Sequence, residues 1–377
     1  MENTTDTDRR HQSRISAVDG LKGIASIIIV AFHVYGFGLF VLQNKFLFIH
    51  KYFAFGVTMF LIISAFSLAL NYHEKIQSAD SILDYYLNRY ARITPLFLFM
   101  MIVWIFVSNL DFKKSFPVNE IIVNIFYLFN FIPGMQGGII WASWTMGTLF
   151  VFYLFFPLIM MASKSVKSTI IVQLFFILIG YTVYSCFNNQ NFPPDYAYGC
   201  FFSQLPIFGF GILAYYALDA FNIKKMGRLL ISFTGLIGIF LVFYVLSRLF
   251  SYDLSILYND KINNNIGYYY IMGFFMAFFI YSQCLFSIPL IDNRITQFYG
   301  KISYSLYLLH PFVIYKIKPL YPYFQSIDGI SKEFAYFICL ILTLLIVTPL
   351  AYLLNKIFEE RASLIMKTSL KRVLKIS

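Results

Sequence analysis

Charged side chains are scarce in this chain: Asp, Glu, Lys and Arg make up 12% of its 377 residues, against roughly 25% in soluble domains. Acidic residues are the scarcer sign, 18 against 29 basic. With 59% hydrophobic residues and a mean hydropathy of +0.70, the deficit excludes a water-soluble globular fold, which could not bury so much apolar surface. Cysteine is sparse as well. Cys186, Cys200, Cys284 and Cys339 lie in or beside apolar runs without CxxC or Cys/His spacing, so no metal site is expected and they read as small apolar residues. A Cys186–Cys200 disulfide stays open across one outer loop. Internal repeats, low-complexity tracts and an appended soluble domain are all missing, which points to one membrane domain. No small-residue cleavage site follows the first apolar run, so that run is expected to be a retained helix and not a signal peptide.

What the chain has instead is long apolar runs, near 21–42, 53–71, 93–109, 144–163, 169–187, 201–219, 228–250, 267–286, 301–318 and 334–357. Each can cross a bilayer as a helix that satisfies its own backbone hydrogen bonds. The apolar segment from Asn119 to Phe131 is too short to cross, and a re-entrant or interfacial helix is expected there. The net charge of +11 would suggest nucleic acid in a soluble protein. Here the basic residues sit in short loops between apolar runs, so they signal topology and no nucleic-acid partner is expected. Alternate loops hold 20 and 9 of the 29 Lys and Arg, a bias that puts both termini in the cytoplasm. The expected protein is an all-α integral membrane protein with about ten transmembrane helices. It divides into a cytoplasmic N-terminal segment 1–20, a transmembrane domain 21–357 and a basic cytoplasmic tail 358–377. In that tail Lys367, Lys371, Arg372 and Lys375 would face the lipids of the inner leaflet.

Few residues in the spans carry chemistry. His33 follows Lys22 by eleven positions, about 16 Å along a helix and so near mid-bilayer. An ionisable group there is either functional or a neutral histidine bonded to a neighbouring helix. His310, in Ser303-Tyr-Ser-Leu-Tyr-Leu-Leu-His310-Pro311, reaches a similar depth in the ninth span. One polar cavity shared by both imidazoles costs less than two isolated burials, and Ser303, Tyr304 and Tyr307 can line it or simply pack. Arg89 and Arg92, three apart in the sequence, share a helix face at the mouth of the third span. There they can grip phosphate oxygens or pair with anionic lipid. A donor with a phosphate-rich head and a reactive end that reaches inward to a histidine fits these features, and coenzyme A thioesters have that shape. Imidazole, with its pKa near working pH, can take a proton from a sugar hydroxyl as it attacks the thioester carbonyl.

Four stretches resemble the acyltransferase 3 family of membrane-bound O-acyltransferases, over nearly the whole chain: Val18-Asp-Gly-Leu-Lys-Gly-Ile-Ala25 leading to Phe32-His33, Gly56-Val-Thr-Met-Phe-Leu-Ile-Ile-Ser-Ala65, Arg89 and Arg92 with Ile93 and Pro95, and Gly300-Lys-Ile-Ser-Tyr-Ser-Leu-Tyr-Leu-Leu-His-Pro311. The resemblance implies an acyl-CoA donor, usually acetyl-CoA, and a polysaccharide or lipid-linked glycan as acceptor, in the bacterial cytoplasmic membrane. It implies His33 as catalytic general base with Lys22 and His310 in the same set. Arg89, Arg92 and Lys22 would be the coenzyme A contacts. Three positions depart from the family: Lys22 stands for a usual arginine, Leu149 for a common glutamate, and Ala65 for a glycine, the last read as packing. Asp19 keeps the pattern and is expected to cap the first helix. Glu359 and Glu360 are similar to an acidic position near the family's C-terminus, or offset Lys356 and Arg361. A multi-span exporter with a histidine proton relay, or a catalytically degenerate scaffold, are the alternatives that Lys22 and Leu149 leave open.

Overall fold

A computed structural model of the protein describes residues 2–42, 46–188, 192–220, 223–249 and 266–374. Lys45, Lys261 and Lys375, three of the basic residues weighed above, lie outside them. Among the described residues the chain is all helical. The first half comprises α1 (Glu2–Phe37), α2 (Leu47–Tyr52), α3 (Gly56–Tyr72), α4 (Ala79–Phe112), α5 (Val118–Ile125), α6 (Trp144–Ala162) and α7 (Val166–Asn188). The second comprises α8 (Pro194–Gly199), α9 (Phe201–Ala220), α10 (Lys225–Leu249), α11 (Ile266–Leu285), α12 (Arg294–Lys301), α13 (Ser303–Ile317), α14 (Tyr321–Gln325), α15 (Lys332–Leu354) and α16 (Ser363–Val373). A π-helical stretch, Asn355–Ala362, joins α15 to α16 without a break.

Nine of the described helices are long and apolar enough to cross a bilayer, and they account for nine of the ten expected runs. The remaining run, 301–318, folds as α13. Its 15 residues span about 22 Å, and the helical path continues without a break through the 3-10 turn Lys318–Leu320 into α14, which brings it to the length of the ~30 Å hydrocarbon layer. Ten residues of α13, among them Ser303, Ser305 and His310, are buried within protein. By contrast, α7 and α10 turn Ile171, Leu174, Phe175, Leu178, Phe240 and Leu241 outward, as suits helices at the lipid boundary.

Other expectations shift with the structure. The third span is the middle of α4, a 34-residue helix started by a capping box at Ser78 and Ser81, and Arg89 and Arg92 lie within it. The Asn119–Phe131 segment forms short α5 and a 3-10 turn, Leu128–Phe131, whose Asn130 plugs into the bundle. Its amide donates to Thr148 Oγ1 and Gly199 O, and its carbonyl accepts from Phe201 N–H. Asp19 does not cap a helix, because α1 begins at Glu2 and runs past it. Cys186 is exposed and Cys200 buried, with no disulfide between them. The C-terminal basic run is helical in α16, where Lys367 and Lys371 approach Asp84 of α4 at 3.8 and 3.1 Å.

Helix contact inside the bundle depends on small residues and on internal polar bonds. A Cβ on Gly23 would stand 2.0 Å from Thr296 O, and one on Gly300 1.9 Å from Asp19 O, so α1 and α12 touch backbone to backbone. On α3, Ala65 fills the place facing Gly211 of α9, as expected of a packing residue. Gln204, Tyr269 and Thr58 are joined in the core, with Thr58 donating to Tyr269 at 3.0 Å and Tyr269 to Gln204 at 2.9 Å. Because the atom opposing Gly300 is backbone and cannot swing aside, Gly300→Val should destabilise the fold by about 3 kcal/mol or more. The expected outcome is a lowered Tm of the detergent-purified protein, and an unchanged Tm would refute the close contact.

Candidate active site

The expected depth of the two histidines follows from helix rise, and the structure brings the rings together. His310 Nε2 is 3.1 Å from His33 Nδ1, and the ring centroids are 4.9 Å apart. His310 is fully buried and His33 half-buried. Backbone carbonyls assign the protons, since a carbonyl can only accept. His310 Nδ1, 3.2 Å from Leu306 O, carries a hydrogen, which leaves a lone pair on Nε2. His33 Nδ1, 3.0 Å from Ile29 O, carries the hydrogen that it also directs at His310. The lone pair of His33 is then on Nε2, pointing away from both partners. No third histidine, cysteine or carboxylate completes a metal-like cluster among the described residues.

At one end of the bundle, where α1 and α4 carry their basic residues, lies a cavity of about 970 Å³. This is at the upper end of the volume usual for small-molecule sites. Lys22, Arg89 and Arg92 all line it, as do Ser303 and Tyr304, whereas Tyr307 and both histidines do not. The chain thus separates Lys22 from His33 and groups it with the arginines. Lys22 Nζ donates to Asp19 Oδ1 and Ser67 Oγ, each at 3.4 Å. Arg89 donates to Tyr72 OH at 2.9 Å and lies over the Tyr72 ring, while its buried Nε–H has no acceptor among the described residues. Arg92 is exposed to the cavity. Neither arginine has a carboxylate in ion-pair reach among the described residues, although Glu359 lines the same cavity and lies within the electrostatic reach of Arg92.

The cavity runs along α3 from Tyr72 to Phe60, twelve residues or about 18 Å. Phe60, Leu149 and Tyr304 also line it. Beyond it Phe60 stacks on Tyr307, 6.1 Å between centroids, and Tyr307 abuts the His310 ring at 5.7 Å. Phe60 and Tyr307 thus link the cavity lining to the imidazole pair by ring contacts. Tyr307 is fixed by donating to Ala142 O at 2.5 Å, with Thr145 Oγ1 2.6 Å away.

Reasoning from sequence did not single out the role of Glu359. The two neighbouring glutamates divide: Glu360 pairs with Lys356 at 2.6 Å on the surface, and Glu359 turns inward from the π-helical stretch. Its Oε1 accepts from Ser305 N–H at 3.1 Å and from Ser305 Oγ–H at 2.5 Å. That puts a carboxylate on the N-terminal turn of α13, where backbone N–H groups need acceptors and the helix dipole favours negative charge. The sequence signals were an acidic pair directly after an apolar run and its similarity to an acidic position of the family, and neither says which glutamate turns inward. Trp104, Trp141 and Phe60 were missed as well, because nothing in their local sequence shows which rings they meet.

An all-α polytopic membrane protein with a bonded imidazole pair beneath a basic cavity is what this geometry defines. A family model described as an acyltransferase domain matches residues 15–353, and the chain belongs to that family, acyltransferase 3. It is also similar to the protein named "Putative acetyltransferase ORF330" of Acidianus two-tailed virus, with 25% identity over 300 residues, covering 77% of this chain and 80% of that protein. No solved structure matches it. The protein is therefore a multi-pass membrane acyltransferase.

Removing the Glu359 carboxylate leaves the Ser305 N–H without its acceptor. Glu359→Leu should cost about 1–3 kcal/mol, seen as a lower Tm, whereas Glu359→Gln, which keeps a carbonyl oxygen, should recover most of it. Equal melting of both variants would mean that the carboxylate does not anchor α13.

Proposed function

We propose that the protein moves an acyl group, acetyl in the simplest case, from acyl-CoA to a hydroxyl of a surface polysaccharide or its lipid-linked precursor. The observation that carries this reading is the His33–His310 bond, set on the same two helices, α1 and α13, that also line the basic cavity. The excess of Lys and Arg in alternate loops favours the cytoplasm for that basic end and for both termini. A bacterial cytoplasmic membrane is the setting proposed.

The diphosphate and ribose phosphate of coenzyme A would lie against Arg89, Arg92 and Lys22. Arginine forks suit phosphate oxygens, and Lys22 adds a point charge. The Arg89 Nε–H without an acceptor fits an anionic ligand at that wall. The acyl end would extend along α3 past Phe60 toward His33. There the acceptor O–H gives its proton to His33 Nε2 as its oxygen bonds to the thioester carbonyl carbon. The tetrahedral adduct collapses with cleavage of the C–S bond, and the departing thiolate takes the proton from His33. Ester and free coenzyme A result. While His33 is an imidazolium, its Nδ1–H points at the His310 lone pair, which spreads the charge, so His310 orients the base and supports it. Leu149 has no polar atom for the task of a glutamate. In this reading Glu359, one of four acidic residues lining the cavity, acts as an anchor of α13.

Two outcomes test the reading with radiolabelled acetyl-CoA and glycan extracted from host membranes. His33→Ala should lower transfer by about 100-fold or more, and unchanged transfer would remove His33 from the reaction. Arg89→Ala combined with Arg92→Ala should weaken acetyl-CoA binding by about tenfold or more, since hydrogen bonds to charged groups are worth about 1.5–3 kcal/mol. Equal affinity in calorimetry would return those arginines to topology alone.

A further inference from the structure

The C-terminal helix α16 begins beyond residue 353, where the family match ends, yet it forms part of the wall of the basic cavity through Ser363, Leu364 and Lys367. It is pinned to α4 at Asp84, a carboxylate that faces more positive charge than it can balance. Lys371 Nζ stands 3.1 Å from Asp84 Oδ1, and the Asn88 amide donates to Asp84 Oδ2 at 3.0 Å. Each oxygen therefore has its near partner. Lys367 Nζ, 3.8 Å from the same Oδ1, is too far for a hydrogen bond. Of the two lysines it is also the one that lines the cavity. Two ammonium groups against one carboxylate leave a surplus positive charge at the cavity wall.

Helix rise sets the level of that charge. Asp84 precedes Arg89 on α4 by five residues, about 7.5 Å toward the start of the helix. Lys75 belongs to the same end. It follows Tyr72, the last residue of α3, by three positions, and lies 5.9 Å from the Tyr72 ring that Arg89 covers at 5.1 Å. Tyr72 in turn meets Tyr85, the neighbour of Asp84, with centroids 5.0 Å apart. Lys75 lines the cavity and has no carboxylate in ion-pair reach among the described residues. The basic wall thus has two levels along α4, with Arg89 and Arg92 at one and Lys75 and Lys367 at the other.

We infer that Lys367, supported by Lys75, grips the phosphate on the ribose of coenzyme A, so that the C-terminal helix makes the protein discriminate the complete donor from one without that phosphate. The inference rests on the acyl-CoA reading above and adds a specificity contact to its phosphate wall. Coenzyme A carries two kinds of phosphate on one ribose: a diphosphate that leads to the thioester arm, and a monoester. The diphosphate suits the planar forks of Arg89 and Arg92. The monoester bears about two negative charges at neutral pH. Because it branches away from the thioester arm, it is expected beyond the arginines on the side remote from His33, the level at which the surplus ammonium groups stand. Lysine is a point charge on a flexible stem, so Lys367 can turn from Asp84 to a phosphate while Lys371 keeps α16 in place. The ordinary alternative is a basic helix resting on anionic lipid. Lys367 is poorly placed for that role, since it opens on the cavity that Arg89 and Arg92 line, with Asp84 on the same wall.

Calorimetry on the full chain in detergent, with acetyl-CoA and the analogue that lacks the ribose phosphate, tests the contact. The wild type should bind acetyl-CoA about tenfold or more tightly than the analogue, the worth of one charge-assisted hydrogen bond. Lys367→Ala should lose most of that preference by weakening acetyl-CoA alone, and an unchanged affinity for the analogue shows that its fold is intact. Lys367→Arg, which keeps the charge, should retain most of the preference. Equal binding of both donors by the wild type, or an equal loss of both in Lys367→Ala, overturns the inference and leaves the acyl-CoA reading in place. A wild type that binds neither donor sinks the acyl-CoA reading and this contact with it. Short-chain phosphatidylglycerol separates the lipid source of phosphate: it should bind wild type and Lys367→Ala alike. A loss of lipid binding in the variant with both donor affinities unchanged gives the lysine to lipid headgroups and overturns the inference.

Discussion

The contact of His310 Nε2 with His33 Nδ1 sets conditions for the rest of the molecule. Imidazoles enclosed among apolar helices cannot rely on water, so each N–H requires an acceptor and the rings must meet at one depth. The first condition is met by α1 and α13 themselves, through the carbonyls of Ile29 and Leu306 four residues back. The second requires α13 to be held at a fixed height. Ten of its residues are buried within protein, Glu359 secures its first turn, and α12, directly before it, touches α1 through Gly23 and Gly300. Glycine at these positions is what allows α1 and the α12–α13 segment to lie close enough for the rings to bond.

Two chemically different ends follow from the same three helices. At one end α1, α4 and α13 contribute Lys22, Arg89, Arg92 and Tyr304 to a cavity of mixed charge. At the other they contribute Phe37, Trp104 and Tyr315 to a cluster around Trp141. The imidazole pair lies between, linked through Tyr307 to Phe60 on the basic side and in contact with Phe37 on the aromatic side.

Much of this was legible from hydropathy and helix rise, which are local properties. The membrane class, nine of the runs, the common depth of His33 and His310 and the shared face of Arg89 and Arg92 all follow from counting along one helix at a time. What failed to appear depends on partners distant in sequence. The helical pattern across the polar N-terminal stretch was not read, so Asp19 was expected at a helix start that lies further back. Lys22 sits eleven residues from His33 in the sequence, and the geometry groups it with the arginines because α1 carries the two about 16 Å apart. Trp141 and the inward turn of Glu359 escaped for the same reason, since their partners are Phe37 and Ser305.

The imidazole pair joins positions 277 residues apart. A chain inserted into the bilayer from its N-terminus therefore holds His33 for most of its synthesis with no second ring beside it, and α13 must find a slot already framed by α1, α3 and α4. Contacts so distant form late and slowly.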